Sequence, residues 1–139
     1  MKEYTYDKIS VGQVVEFSVQ LDLEKMDAFL SITGDKNPLH TSDIYAKESL
    51  GYTGRVAYGM LTASFLSTLA GMYLPGKNSL LHSVEVKFTK PVFPPDTLII
   101  HGEVVEKEDK FRILKVKASI TNGSGEKVCR ASMQVGVAN

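Results

Sequence analysis

The chain has no tryptophan, a single cysteine and a formal charge of zero, and the last two each remove a class of function. Cys129 cannot form an internal disulfide, and a lone thiol agrees with a reducing compartment. Sixteen basic residues balance sixteen acidic ones, which leaves no bulk attraction for nucleic acid or for an anionic membrane surface. The apolar run over residues 56–73 is interrupted by Tyr58, Gly59, Thr62, Ser64, Ser67 and Thr68, so it does not read as a membrane span. Residues 1–7 hold no apolar signal core, and the expected location is the cytosol. No set of His, Cys and Asp has ligand spacing, so no metal is expected. Gly123-Ser124-Gly125 lacks the lysine and the following helix of a phosphate loop and reads as a turn.

What is present is enough for one core. A length of 139 residues with 43% hydrophobic and 23% charged residues predicts a single domain spanning 1–139. There is no internal repeat, low-complexity tract or linker. Residues 13–20 read as a strand, and Asp22 as the N-cap of a helix carrying Leu23, Met26, Phe29 and Leu30 on one side and ended by Gly34. A short helix over 43–50, closed by Gly51, comes next. Residues 56–73 are apolar on most faces of a helical wheel, which predicts a long buried helix. Residues 79–89, 97–106, 110–121 and 126–137 then read as long strands. Leu114, Val116, Ala118 and Ile120 alternate with Lys115, Lys117 and Ser119, the pattern of an antiparallel sheet with one covered face. The class is α+β.

Chemistry concentrates in residues 34–40, where Asp35 and His40 bracket Asn37 and Pro38. Pro38 fixes its own φ and keeps Asn37 out of the helical region, and Gly34 tolerates a positive φ, so the chain leaves its helix and turns sharply. A carboxylate and an imidazole facing each other across such a turn can orient one water and take its proton. Asp and Asn also serve simply as loop formers that bond nearby amides, and spacing by itself leaves both readings open. Cys129 alternates with Ala131, Met133 and Val135 and reads as a core residue, while His82 and His101 fall in strand patterns.

The segment Ser31-Ile32-Thr33-Gly34-Asp35-Lys36-Asn37-Pro38-Leu39-His40 resembles the signature of the (R)-specific enoyl-CoA hydratases, the MaoC-like dehydratases of the hotdog superfamily. Gly59-Met60-Leu61-Thr62-Ala63-Ser64 is similar to their second characteristic stretch, and the segments 75–77 and 88–92 extend the resemblance over nearly the whole chain. It implies a hotdog domain, a long central helix wrapped by an antiparallel sheet, working as a homodimer without a cofactor. The implied activity is reversible syn addition of water to a trans-2-enoyl-CoA, giving the (R)-3-hydroxyacyl-CoA.

Residue by residue, the resemblance makes Asp35 and His40 the catalytic pair, His40 as the main base and Asp35 as the group that orients the water and assists the return of a proton to C2. Asn37 and Pro38 shape the loop. The backbone N–H of Gly59, at a helix start, is the implied oxyanion donor, a role whose loss costs about 3 kcal/mol; close packing of the helix is a compatible second role. Ser67 matches a serine near the acyl pocket. The family usually has histidine where this chain has Tyr58, a larger and non-basic residue expected to narrow the pocket or alter substrate choice. Two alternatives stay open: a 3-hydroxyacyl-carrier-protein dehydratase, and an acyl-thioester binding protein or thioesterase without hydratase activity.

Overall fold

The computed structural model describes residues 1–139. A 3-10 turn at Tyr6–Lys8 leads to β1 (Val14–Leu21), α1 (Leu23–Thr33), the four-residue α2 (Pro38–Thr41), α3 (Asp43–Leu50) and α4 (Gly59–Thr68). A π-helical turn, Leu69–Tyr73, extends α4, and β2 (Ser79–Phe88), β3 (Asp96–Glu108), β4 (Ile113–Thr121) and β5 (Lys127–Val137) follow. The strands form one antiparallel sheet in the order β1-β3-β4-β5-β2.

Local chemistry sets the boundaries. The Asp22 side chain accepts from the Lys25 N–H at 2.9 Å and starts α1. Gly34, with φ of 72°, ends it in the left-handed conformation that only glycine adopts at no steric cost. Ser42 and Gly51 cap α3 in the same manner. Between these helices lies an element the pattern did not predict: Pro38 occupies the first turn of α2, with the Asn37 side chain accepting from the Leu39 N–H at 3.0 Å. Four residues are too few for a periodic signal.

The sheet covers its core with one face. Leu98, Ile100 and Val104 of β3, Leu114, Val116 and Ile120 of β4, and Cys129, Met133 and Val135 of β5 are all fully buried, alternating with exposed neighbours. Leu66, Leu69 and Ala70 press down on this face. The contact is close: a Cβ on Gly102 would lie 2.8 Å from Leu69 Cδ2, so the helix approaches β3 where no side chain intervenes.

The central helix departs from expectation in two ways. It begins at Gly59, because residues 56–58 are extended and hydrogen-bond laterally, and the side of it that carries Met60 is left open by the sheet that wraps the rest. Met60 is 67% exposed, and β2, the strand beside it, is open on both faces. A gap therefore runs between α4 and β2.

Candidate active site

That gap is a cleft of about 720 Å³. Its floor is α4, through Gly59, Met60, Ala63, Ser64 and Ser67; Leu81, Val84, Val86 and Phe88 of β2 form one wall; and Asp35, His40, Tyr58 and Phe29 close the end. Asp35 and His40, picked out from spacing, thus share one cavity. Asn37 and Pro38 stand behind them in the loop. His40, Gly59 and Phe88 also border a second recess of about 320 Å³, lined by Thr89, Lys90 and Pro91, so the two cavities meet beside the imidazole.

Hydrogen bonding fixes which atoms of the pair remain free. His40 Nδ1 lies 2.7 Å from the Val56 carbonyl oxygen. A carbonyl only accepts, so in the neutral ring the proton sits on Nδ1 and Nε2 keeps its lone pair. One Asp35 carboxylate oxygen accepts from the Asn37 N–H at 3.1 Å, and the other accepts nothing from the protein. The pair therefore offers one basic nitrogen and one anionic oxygen.

Both bases are also held by their own backbone. Arg55 Nε donates to the His40 carbonyl at 2.7 Å while its guanidinium reaches Asp27 on α1 at 3.6 Å. Val56 N–H donates to the Leu39 carbonyl at 3.1 Å. The Tyr58 hydroxyl donates to the Asp35 carbonyl at 2.7 Å. The extended residues 55–58 thus run alongside the loop as a template. Sequence reasoning missed Arg55 and Val56: a lone arginine carries no pattern, and Val56 acts through its backbone, which any residue supplies.

The start of α4 completes the arrangement. Tyr58, its N-cap residue, contributes no side-chain cap, so the first-turn N–H groups keep their orphan character and the positive end of the helix dipole faces the cleft. A Cβ at Gly59 would meet the Phe88 ring at 3.3 Å, so the glycine serves close packing as well. Tyr58 itself is 2% exposed, its hydroxyl turned to Asp35. Burial, and next the negative charge of Asp35, push its phenol above the usual tyrosine range, so it stays protonated at neutral pH.

Residues singled out as unlikely chemistry lie elsewhere. Cys129 is buried and its thiol is pushed up by burial. His101 contacts Glu16 on the outer sheet face, and His82 sits at a bulge in β2. No group of three or more His, Cys, Asp or Glu side chains clusters as a metal site. No helix is long and apolar enough to cross a membrane.

Comparison with known proteins gives the family and the fold. An (R)-specific enoyl-CoA hydratase of Aeromonas caviae is 34% identical over 103 residues, 73% of this chain and 76% of the relative. One of the same name from Rhodospirillum rubrum is 31% identical over 107 residues, 74% of each. Among solved structures, the unliganded R-hydratase PhaJ1 of Pseudomonas aeruginosa superposes with a TM-score of 0.89 at 27% identity, over 96% of this chain and 84% of that one. The (R)-hydratase of A. caviae involved in PHA biosynthesis gives 0.88 at 28% identity, over 93% and 97%. Both are hotdog folds, as the wrapped central helix anticipated. Residues 8–124 match the MaoC like domain, and the chain belongs to that family.

Proposed function

We propose that this protein adds water reversibly across the double bond of a trans-2-enoyl-CoA, giving the (R)-3-hydroxyacyl-CoA. The observation that carries the reading is the His40 hydrogen bond to the Val56 carbonyl, which leaves Nε2 as a free base in a cleft that also holds a free Asp35 oxygen. An apolar wall of Leu81, Val84 and Val86 suits an acyl chain. The thioester would sit at the junction of the two cavities, with the pantetheine arm leaving through the smaller recess.

In this scheme His40 Nε2 removes a proton from a water that Asp35 orients, and the hydroxide attacks C3. Negative charge moves through C2 onto the thioester oxygen, where the Gly59 N–H and the dipole of α4 stabilise it. The proton now on His40 Nε2 returns to C2 from the same face, with Asp35 assisting by holding the new hydroxyl in line, which makes the addition syn. Asn37 holds the carboxylate through its N–H, and Pro38 starts α2 so that His40 follows two residues later. Ser67 lies deeper on α4, in the acyl part of the cleft. No step asks for a cofactor.

A second copy completes the proposal. β2 is an edge strand with both faces open, and Leu80, Val84 and Phe88 are exposed on it. Such an edge invites pairing. A homodimer joined along β2 would extend the sheet and cover the open wall of the cleft. The single buried thiol fits the cytosol as the site of action.

The test is direct. Purified protein with crotonyl-CoA and longer trans-2-enoyl-CoAs should consume the conjugated absorbance and yield the (R)-alcohol, and sedimentation should give the mass of two chains. The same enoyl group on an acyl carrier protein, assayed in parallel, decides between the two carriers. Release of free coenzyme A with the absorbance intact would make the protein a thioesterase instead.

A further inference from the structure

Tyr58 touches three separate parts of the site. Its hydroxyl donates to the Asp35 carbonyl at 2.7 Å. Its ring lies against the His40 imidazole, with centroids 4.2 Å apart and planes inclined by 30°. On another side Phe29 of α1 packs against it at 4.9 Å, so the ring is backed by the helix that delivers Asp35. The residue is also the N-cap position of α4, where the orphan N–H groups begin.

A phenol has one proton to give. Here it is committed to a carbonyl, so the hydroxyl cannot also donate to a thioester oxygen or to the adding water. That removes Tyr58 as an acid in the reaction and leaves geometry as its contribution. Asp35 is exposed, on the short link between α1 and α2, and its side chain has a single protein partner, the Asn37 N–H. The Asp35 N–H donates to Thr33 Oγ1 at 3.2 Å within the same exposed segment, so the Tyr58 hydroxyl is what ties Asp35 to the body of the fold.

We infer that Tyr58 is a positioning residue, the one side chain that touches both bases, setting their spacing by tethering the Asp35 backbone with its hydroxyl and bracing the His40 ring with its face. The inference rests on the hydratase reading and adds the residue that sets its geometry. The tether acts on position more than on stability. If the hydroxyl is removed, the part-buried Asp35 carbonyl, on an exposed residue, can still be reached by water, and little folding energy is lost. The spacing of two groups that must share one water is a different matter, since displacement of about 1 Å can cost two orders of magnitude in rate.

The experiment compares wild type with Tyr58→Phe and Tyr58→Leu on crotonyl-CoA, each assayed well below its own unfolding temperature. Tyr58→Phe keeps the ring and should lower kcat about tenfold with KM within twofold and an unfolding temperature within a few degrees, while Tyr58→Leu loses the brace as well and should fall about a hundredfold. The loss should also be coupled: because the hydroxyl works through Asp35, Tyr58→Phe should cost much less in an Asp35→Asn background than in the wild type. Tyr58→Phe with kcat within twofold of wild type, or a loss confined to KM, overturns the inference. A wild-type protein that turns over no enoyl thioester overturns the hydratase reading itself, and the positioning role falls with it.

Discussion

Tyr6 and Tyr58 are buried to a similar depth, and each gives its hydroxyl proton to a distant segment, yet the two regions use the same device for different ends. Tyr6 donates to the Asp109 carboxylate at 2.6 Å, just past the end of β3. Lys107 lies over its ring at 4.1 Å and donates to the carbonyls of Tyr6 and Ile9 at 3.0 and 2.7 Å. This cluster lines neither cavity beside His40. It ties the N-terminal strap to the sheet with charge-assisted bonds, the stronger kind. Tyr58 donates to a neutral backbone carbonyl on an exposed residue, a weaker bond that happens to hold one of two bases. Depth of burial is thus no guide to role; the nature of the acceptor, and what its residue does, is the guide.

The largest effect that would sharpen this contrast is at the base beside Tyr58. His40→Ala removes the group assigned to take the proton, and general-base removal typically costs 10²–10⁴ in rate, so kcat should fall about a thousandfold. His40 is only half-buried, and the unfolding temperature should move by a few degrees at most. Asp35→Ala should lower kcat with a similarly small change in stability. If both variants keep wild-type turnover, the two bases are not the reacting groups, and the contrast between the tyrosines loses its chemical half.

The opposite perturbation is Tyr6→Phe. A hydrogen bond to a charged group contributes about 1.5–3 kcal/mol, and because Asp109 is exposed the low end applies. About 1.5 kcal/mol should lower the unfolding temperature by roughly 5 °C in a domain of this size. Turnover of crotonyl-CoA should stay within twofold of wild type in kcat and KM. A tenfold loss of kcat in Tyr6→Phe would mean that the strap reaches the cleft and that the two regions are not independent.

The difference between the regions also governs what the sequence could reveal. The strands were legible to within three residues at every end because a half-buried sheet imposes a period of two, as in Leu114, Val116, Ala118 and Ile120. Asp22, Gly34 and Gly51 marked helix ends by requirements of local backbone. Asp35 and His40 were legible from a motif of short range. The long helix was placed three residues too early, since Val56 and Ala57 are apolar and carry no sign that their amides bond to Leu39 and Val92 instead. Its exposure at Met60 was equally hidden, because an apolar residue facing a cleft looks the same as one facing a core. Neither tyrosine clamp could be read at all: the partners are 23 and 103 residues away, and no local pattern records such a pairing.

The smallest effect separates the tyrosines by titration. Burial, then the hydrogen bond to Asp109, pushes the Tyr6 phenol up to about 12, against about 10 in an unfolded chain. A raised folded-state value means that between these limits the folded protein holds a proton the unfolded one has lost. Stability from Tyr6 is therefore complete below pH 10 and falls away as pH rises toward 12. Tyr58 and Cys129 are raised too, but both are common to wild type and Tyr6→Phe. In the difference between those two proteins they cancel. Chemical denaturation at pH 8, 10 and 11 should thus give a stability gap that is constant up to about pH 10 and narrows beyond it. A gap that stays level or widens through that range would show that the Tyr6 hydroxyl ionises at least as freely in the fold as out of it, and the strap would owe its hold to Lys107 and to packing.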